Sequence, residues 1–212
     1  MIAHWMTCLH FLVGSFKILK AMDECVYSKS EIIDWVYSNQ ICGPEYWGFR
    51  GGPFLGFKEP GHSEDVPHIA NTYCAVCILI MLDDDLSWLQ GGKILETLNI
   101  YQQPTNGTHQ CPIRALPYVS EEDMRFVYCA CALKHMLEQR FPESVCSLNT
   151  LEIEIYISQC QTYDLGFSWI PYGESHSGLS YCAFASMKLI NSGFTMPNDY
   201  VHTLISKQCS GF

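Results

Sequence analysis

The sequence predicts an all-α fold of four helical hairpins, each pairing one buried helix with one half-exposed helix. Three observations support this prediction. A Tyr-Cys-Ala segment recurs at intervals of 53 to 55 residues, beginning at Tyr73, Tyr128 and Tyr181. A second, amphipathic type of segment alternates with it along the chain. Of the 212 residues, 48% are hydrophobic and 16% are charged, which is enough apolar surface for a sizeable core.

The Tyr-Cys-Ala segments open nearly all-apolar runs, as in NTYCAVCILIML and FVYCACALKHML. A helix that is apolar all round is buried on most sides. The segment TCLHFLVGSFKIL, near the start, is a weaker first copy of this pattern. We therefore expect four buried helices that pack side by side as an inner ring, because such units must stack to bury their faces.

The alternating segments carry apolar residues on one helical face and end at a glutamine, as in SEIIDWVYSNQ, GKILETLNIYQ, LEIEIYISQCQ and YVHTLISKQ. A glycine follows each glutamine, and in three copies it belongs to a Gly-Phe pair. These helices would form an outer ring. The repeats make up one domain, 1–212, divided approximately into 1–50, 67–107, 121–166 and 174–212.

Composition and charge exclude several classes of protein. The net charge of −10 argues against a bulk basic surface for nucleic acid. No apolar run is long enough to predict a membrane span, and the opening segment lacks the basic start and cleavage site of a signal peptide. Cys74-x-x-Cys77 has no second pair at zinc-finger spacing, and cysteines inside apolar runs favour reduced thiols in a cytoplasmic protein.

Polar residues occupy one position of the repeat. His68, Asp123 and His176 each lie five residues before a repeated tyrosine, at the expected start of an inner helix, and Arg125 is close to Asp123. In a ring, equivalent positions converge at one end of the central cavity, where helix N-termini favour an anion. The same residues would also serve as ordinary N-caps. The sequence alone leaves both interpretations open.

Several motifs resemble, in the same order, the β subunits of protein prenyltransferases, in particular those of the type I protein geranylgeranyltransferases. They are IIDWVYSNQ, GFRGGPFLG, HIANTY, DMRFVYCA and YDLG…ESHSG. The resemblance covers nearly the whole chain. The resemblance implies an α-α toroid, present here as an incomplete one. It implies transfer of geranylgeranyl from geranylgeranyl diphosphate to the cysteine of a C-terminal CaaX motif, on proteins such as small GTPases. A prenyltransferase α subunit would be the partner in a cytoplasmic heterodimer.

The resemblance also assigns binding residues, although it assigns no catalytic residue to this chain. Those matched to isoprenoid diphosphate binding are His176, Ser177, Gly178, Arg125, Tyr73, Tyr128 and Thr7. Those matched to the pocket for the last CaaX residue are His68, Ala70, Phe126 and Thr7. Ser177 replaces a glycine of the family. Thr7 stands where the farnesyl enzymes carry a bulky tryptophan, which would leave room for a longer lipid.

Zinc is the cofactor that the resemblance implies, with magnesium as a further metal. The zinc lowers the pKa of the substrate thiol, and its ligands follow a Gln-x-x-Gly-Tyr/Phe motif that the terminal QCSGF resembles. We therefore expect the zinc ligands to be missing from this chain. On that expectation, the 212 residues alone bind no stoichiometric zinc and transfer no lipid.

Alternative functions remain at this point. The first is a non-catalytic protein that binds a lipid or the α subunit. A terpene cyclase shares the toroid but would need an acidic DxDD motif, which the sequence lacks. A helical-repeat interaction module would need no aligned His and Arg at the cavity mouth. Asp83-Asp84-Asp85 is interpreted as a solvated helix end and not as a magnesium motif.

Overall fold

The structure is a computed structural model that describes residues 4–53, 66–102, 112–116, 121–193 and 198–206. The helices lie where the alternating segments predicted them, but the first, which was expected to be a buried helix, buries only Met6 and Val13. In chain order they are α1 (Trp5–Leu19), α2 (Lys29–Ser38), α3 (Ile69–Met81), α4 (Gly91–Tyr101), α5 (Met124–Arg140), α6 (Thr150–Gln159), α7 (Ser177–Leu189) and α8 (Asn198–Ser206). The prediction of four helical pairs is confirmed.

The odd-numbered helices, called the inner helices below, form a continuous row. Helix α1 contacts α3, α3 contacts α5, and α5 contacts α7, while α2 packs on α3 and α4 on α5. The alanines of the Tyr-Cys-Ala segments, Ala75, Ala130 and Ala183, are completely buried. A small side chain at these places lets adjacent helices approach closely, which gives the core its close packing.

Polar caps define where two of the even-numbered helices, α2 and α6, begin. At α2 the Ser28 hydroxyl accepts from the Glu31 N–H at 3.3 Å, and the Glu31 carboxylate accepts from the Ser28 N–H at 2.8 Å. This is a capping box, which satisfies two backbone donors at once. Helix α6 is capped by Asn149, whose side chain accepts from the Glu152 N–H at 3.3 Å.

Short β contacts follow the outer segments, a feature that the all-α prediction did not contain. Strand β1 (Gln40–Cys42) pairs antiparallel with β2 (Trp47–Phe49). Helical periodicity gave no sign of them, because three residues are too few to leave a pattern. Isolated bridges at equivalent places join Gln102 to Ile113 and Gln161 to Phe167. The corresponding fourth segment, from Gln208 to Phe212, lies outside the described residues, as does Gly107.

The repeated Gly-Phe pair has a packing reason. A Cβ placed on Gly48 would lie 2.7 Å from Pro67 Cβ and from Thr72 Oγ1. A Cβ on Gly166 would lie 2.7 Å from Ser175 Cβ. Pro67 and Ser175 each come directly before the residue that caps an inner helix. The absence of a side chain on the glycine therefore allows its loop to lie against the start of that helix.

The Asp83–Asp85 turn ends α3 and ties neighbouring helices together. Asp83 pairs with Lys17 of α1 at 3.2 Å and with Lys29 of α2 at 3.3 Å. The Tyr37 hydroxyl donates to Asp84 at 2.6 Å. The predicted helix end is confirmed, and these acidic side chains have structural partners.

Two further observations concern the described residues only. None of their helices is long and apolar enough to cross a membrane. The ten cysteines among them form no disulfide with one another.

Candidate functional site

The inner helices α3, α5 and α7 are capped in the same manner by the residue five positions before the repeated tyrosine. His68 Nδ1 accepts from the Ala70 N–H at 3.1 Å, and His176 Nδ1 accepts from the Gly178 N–H at 3.0 Å. Asp123 Oδ1 accepts from the N–H of Arg125 at 2.8 Å. The N-cap interpretation is confirmed at all three helices, whereas anion binding there stays a prediction.

Two of these caps are anchored to the core through the Gly-Phe pair. The His68 N–H donates to the Phe49 carbonyl at 3.3 Å, and the His176 N–H donates to the Phe167 carbonyl at 3.1 Å. Both phenylalanines are fully buried. Each phenylalanine N–H in turn donates to a hydroxyl one turn into the helix, at 3.0 and 2.9 Å respectively: Thr72 and Ser180.

The two histidine caps lie in different surroundings. The His68 ring is half-buried and stands edge-on to Phe126, with ring centroids 5.6 Å apart. Burial, helped by the nearby His4, lowers the pKa of His68 to about 4, so its ring is neutral at physiological pH. His176 is exposed. Because Nδ1 accepts a hydrogen bond in both rings, a neutral ring carries its proton on Nε2 and can donate from there.

Arg125 is held on Asp123 by two parallel hydrogen bonds. Arg125 Nε donates to Asp123 Oδ1 at 2.9 Å, and Nη2 donates to Oδ2 at 2.7 Å. Asp123 is only 4% exposed, whereas the Arg125 side chain is 64% exposed. The hydrogen bonds to Asp123 raise the pKa of Arg125. A positive side chain therefore stands at the start of α5, fixed by a buried carboxylate.

The repeated tyrosines form a row across the inner helices. The hydroxyls of Tyr73 and Tyr128 are 3.2 Å apart, and those of Tyr128 and Tyr181 are 3.5 Å apart. Their ring centroids are separated by 5.5 and 5.6 Å. His10 of α1 extends the row, with its ring centroid 5.9 Å from that of Tyr73. Tyr181, at the other end, is 62% exposed, so the row is an aromatic wall with an accessible end.

The side chains of this wall are uncharged. Burial raises the pKa of Tyr73, and it raises that of Tyr128 to about 12. Burial also raises the pKa of Cys74 to about 11 and that of Cys77 to about 12. Thr7 lies here as well, with Oγ1 4.0 Å from the Sγ of Cys74. The wall therefore presents aromatic rings, thiols and hydroxyls without a charge at neutral pH.

The structure brings some of the predicted site residues together. His68, Ala70 and Phe126 meet where α3 and α5 begin. Arg125 lies one turn before Tyr128 on α5. The triplet of His176, Ser177 and Gly178 forms the start of α7. Within the described part of the chain, no hydrogen bond or ion pair joins Arg125 to this triplet.

Zinc and magnesium, the metals that the family resemblance implies, have no binding site among the described residues. No group of three or more His, Cys, Asp or Glu side chains that could hold an ion occurs in the described ranges. The residues described therefore do not fit the zinc or magnesium that the resemblance implies.

The tyrosine row contains two members to which the sequence assigned no role. Tyr181 could have been found, since it is the third copy of the repeated tyrosine. His10 could not, because the first copy has no tyrosine. The equivalence of His10 to Tyr73 appears only in the backbone. Met6 and Ile69 each donate from the backbone N–H to a carbonyl that lies beyond the next even-numbered helix, at 2.9 and 3.0 Å. His10 and Tyr73 follow these two residues by four positions.

The row of inner helices, the caps of α3, α5 and α7 and the aromatic wall are the features expected of an α-α toroid. Comparison with known proteins leads to the same class. The chain belongs to the prenyltransferase α-α toroid domain family, which matches residues 1–212. The predicted toroid and the predicted family are both confirmed. The solved structure of Candida albicans protein geranylgeranyltransferase-I complexed with GGPP shares the fold, with a TM-score of 0.77 at 18% identity. That match covers 97% of this chain and 58% of the other.

Relatives of known activity are β subunits of two prenyltransferase types. The chain is 31% identical over 229 residues to geranylgeranyl transferase type-1 subunit beta of Dictyostelium discoideum, and 32% identical over 196 residues to that of Arabidopsis thaliana. These matches cover 98% and 87% of this chain, but 62% and 49% of the relatives. Protein farnesyltransferase subunit beta of Arabidopsis thaliana is 30% identical over 152 residues, 71% of this chain and 27% of that protein.

Proposed function

We propose that the chain acts as the β subunit of a type I protein geranylgeranyltransferase, which transfers geranylgeranyl from geranylgeranyl diphosphate to the cysteine of CaaX motifs. It would work with a prenyltransferase α subunit in the cytoplasm, on proteins such as small GTPases. The observation that carries this proposal is the tyrosine row running across inner helices whose N-termini are capped by His68, Asp123 and His176.

The row suits the isoprenoid. A polyprenyl chain binds mainly by removing apolar surface from water, at about 25 cal/mol per Å². Aromatic rings give a large and rigid contact area for this purpose. Tyr73 and Tyr128 hold no charge that would have to be desolvated, and Thr7 adds little bulk at the α1 end.

The N-terminal ends of α5 and α7 suit the diphosphate. Arg125 supplies a permanent positive charge, and the start of α7 supplies the positive end of the helix dipole. His176, with Nδ1 engaged by its own helix, would donate from Nε2. Ser177 and Gly178 are exposed beside it. In this arrangement the anion lies at the helix starts while the lipid extends along the row.

The start of α3 suits an apolar peptide end. The neutral His68 ring, the buried Phe126 and the small Ala70 form a surface without charge. We propose that this surface, with Thr7 of α1 close to α3, receives the last residue of the CaaX motif. An aliphatic residue such as leucine would leave no polar group unpaired there.

Relatives support the choice of lipid. The two type-1 geranylgeranyl relatives are 31% and 32% identical to this chain, whereas the farnesyl relatives are 26% to 30% identical to it. The solved structure with the same fold contains GGPP.

A binding experiment tests the lipid part of the proposal. The purified chain is titrated with geranylgeranyl diphosphate in a calorimeter, and so are Arg125→Gln and Lys188→Gln. The second variant removes an equal charge from the opposite end of α7. We expect Arg125→Gln to weaken binding at least about tenfold, since a hydrogen bond to a charged group contributes about 1.5–3 kcal/mol. Equal affinities for the two variants would contradict the proposed diphosphate site.

A transfer experiment tests the enzymatic part. The chain is purified together with a prenyltransferase α subunit and given labelled geranylgeranyl diphosphate and a peptide ending in Cys-Val-Leu-Leu. The matched control peptide has serine in place of cysteine. Transfer to the first peptide alone would support the enzyme and would contradict the expectation that the zinc ligands are missing from this chain. Binding without transfer would agree with that expectation and would favour a non-catalytic lipid-binding protein.

A further inference from the structure

The loop between α6 and α7 folds back so that its beginning lies against its end. Near the beginning, the Thr162 N–H donates to the Gly166 carbonyl at 2.9 Å. At the end, the His176 N–H donates to the Phe167 carbonyl at 3.1 Å. A Cβ placed on Gly166 would lie 2.7 Å from the Ser175 Cβ, so the two parts of the loop are in close contact. The loop therefore brings the segment YDLG directly against the segment ESHSG.

Asp164 joins these two segments. Its Oδ1 accepts from the Thr162 hydroxyl at 2.5 Å and from the Gly166 N–H at 3.3 Å. Its Oδ2 accepts from the Ser175 hydroxyl at 2.7 Å. One oxygen thus closes the turn at the beginning of the loop, and the other holds the residue directly before the His176 cap. A carboxylate suits this double contact because it carries two acceptor atoms on one rigid group.

The first repeat holds its cap in a different way. There a proline, Pro67, takes the place of Ser175, and its ring fixes the backbone angle φ. Pro67 is buried, and its carbonyl accepts a hydrogen bond from the Tyr101 hydroxyl. The His68 ring is held as well, since it stands edge-on to Phe126. The cap of α3 is therefore fixed at both its backbone and its ring.

His176, at the start of α7, is fixed by other means. Its ring is exposed, and the residue before it, Ser175, is a half-buried serine. A serine backbone can adopt many more conformations than a proline backbone. The hydrogen bond from Ser175 to Asp164 therefore supplies the restraint that the proline ring supplies at α3.

We propose that Asp164 is a positioning residue, which holds Ser175 so that the His176 ring presents Nε2 to the diphosphate of the lipid substrate. The inference rests on the proposed function and deepens it. Because His176 Nδ1 accepts from the Gly178 N–H at 3.0 Å, the direction of Nε2 follows from the backbone to which the ring is attached. A donor that is ordered before the ligand arrives loses less conformational freedom on binding.

Variants at both ends of the contact test this role. Ser175→Ala removes the donor and leaves the turn around Asp164 in place, whereas Asp164→Ala removes the turn as well. Asp164→Asn is the conservative variant, because Oδ1 can still accept and the amide can donate to the Ser175 hydroxyl. The matched controls are Ser158→Ala on α6 and Asp34→Ala on α2, both at exposed positions.

Each protein is titrated with geranylgeranyl diphosphate and with geranylgeraniol, which has the same lipid and no charge. We expect Ser175→Ala to weaken diphosphate binding about threefold and Asp164→Ala about fivefold, because each leaves the donor less ordered before binding. Asp164→Asn should stay within about twofold of the unchanged protein, since both contacts can still form. Geranylgeraniol binding should change less than about twofold in every variant, because the lipid wall is untouched. Both controls should bind as the unchanged protein does.

A double variant separates positioning from a general structural role. In the His176→Asn background, Ser175→Ala should cause no further loss of diphosphate affinity, because the group that it positions is gone. A general structural role predicts the same loss with or without His176, and equal losses for the two ligands. Circular dichroism checks the helix content of each variant. If Asp164→Ala does not fold, Ser175→Ala decides the outcome.

A second readout does not depend on the ligand. The His176 backbone N–H, which donates to the Phe167 carbonyl, should exchange its hydrogen with solvent slowly in the unchanged protein. The exchange should become at least about threefold faster in Ser175→Ala and stay the same in Ser158→Ala, because only the first variant loosens the cap. The same exchange rate in Ser175→Ala and the unchanged protein would contradict the restraint.

Several binding results would overturn the inference. A gain in diphosphate affinity in Asp164→Asn would mean that the carboxylate acts on the ligand through its charge. A further loss from Ser175→Ala in the absence of His176 would mean that the two residues act independently. If the unchanged chain binds no geranylgeranyl diphosphate, or if His176→Asn leaves the affinity unchanged, the proposed diphosphate site fails and this inference fails with it. If His176→Asn weakens binding while Ser175→Ala and Asp164→Ala are neutral, only this inference fails.

Discussion

His68 and His176 occupy the same position in two repeats, and they make the same cap hydrogen bond at almost the same length. What differs is the neighbouring helix. Helix α5 places Phe126 against His68, and burial lowers the pKa of that ring. His176 at the start of α7 is exposed, followed by the exposed Ser177. One repeat position thus yields an apolar corner at α3 and a polar, open helix start at α7.

Burial of His68 predicts the largest effect. The pKa of His68 is about 4 in the folded chain, whereas its ordinary value is 6.5. Between these two pH values the imidazole is protonated in the unfolded chain and neutral in the folded chain. The contribution of the neutral His68 to the free energy of unfolding is therefore fully present above pH 6.5. It declines as the pH falls and is lost once the pH has passed below about 4. The total loss is about 3 kcal/mol. Urea unfolding of the chain at several pH values in this window measures it.

His68→Asn is the control for this pH dependence, since asparagine keeps an N-cap acceptor and does not titrate. The variant should lose about 3 kcal/mol less than the unchanged chain over the same window. The same slope in both proteins would show that other groups, such as the paired carboxylate of Asp83, dominate the acid response.

The glycines beside the two caps predict the next effect. Gly48→Ala should cost about 2 kcal/mol, because its Cβ would meet buried Pro67 and Thr72. Gly166→Ala should cost about 1 kcal/mol, since its neighbour Ser175 is only half-buried and can move. Urea unfolding measures the free energy of unfolding of each variant, and the two losses relative to the unchanged chain are compared. Equal costs would mean that the two loops are held with the same rigidity.

Exchanging the caps themselves predicts a smaller effect, this time on the ligand. His176→Asn keeps the cap but removes the Nε2 donor, and we expect geranylgeranyl diphosphate affinity to fall about tenfold. His68→Asn should change that affinity less than about twofold, because its ring faces the apolar corner. Calorimetric titration of both variants provides the measurement. A larger loss of affinity in His68→Asn than in His176→Asn would mean that the diphosphate binds at the start of α3 and not at the start of α7.

Ser177→Gly should have the smallest effect. It introduces the glycine that the family resemblance implies at the first residue of α7, where the side chain is exposed and the backbone N–H is unchanged. We expect an affinity change below about threefold. A gain of tenfold or more would show that the serine side chain keeps the diphosphate away from the helix start.

Much of this arrangement was predictable because it follows from the repeat. Tyr73, Tyr128 and the cap at Asp123 were found from spacing, since equivalent positions in stacked helices meet. The two-pronged contact between Asp123 and Arg125 was not predictable, because it depends on side-chain rotamers that spacing does not specify. His10 was missed because it joins the row through a backbone equivalence and not through its residue type.

The sequence by itself determined the alternation of helices, the positions of His68, Asp123 and His176 at the starts of α3, α5 and α7, and the membership of the toroid family, because local periodicity and short motifs encode them. Only the tertiary structure decided which histidine is buried, how Asp123 holds Arg125 and where the loops make β contacts. Those properties depend on which residues of other helices and loops come within a few ångströms, and that distance is set by packing across the inner helices.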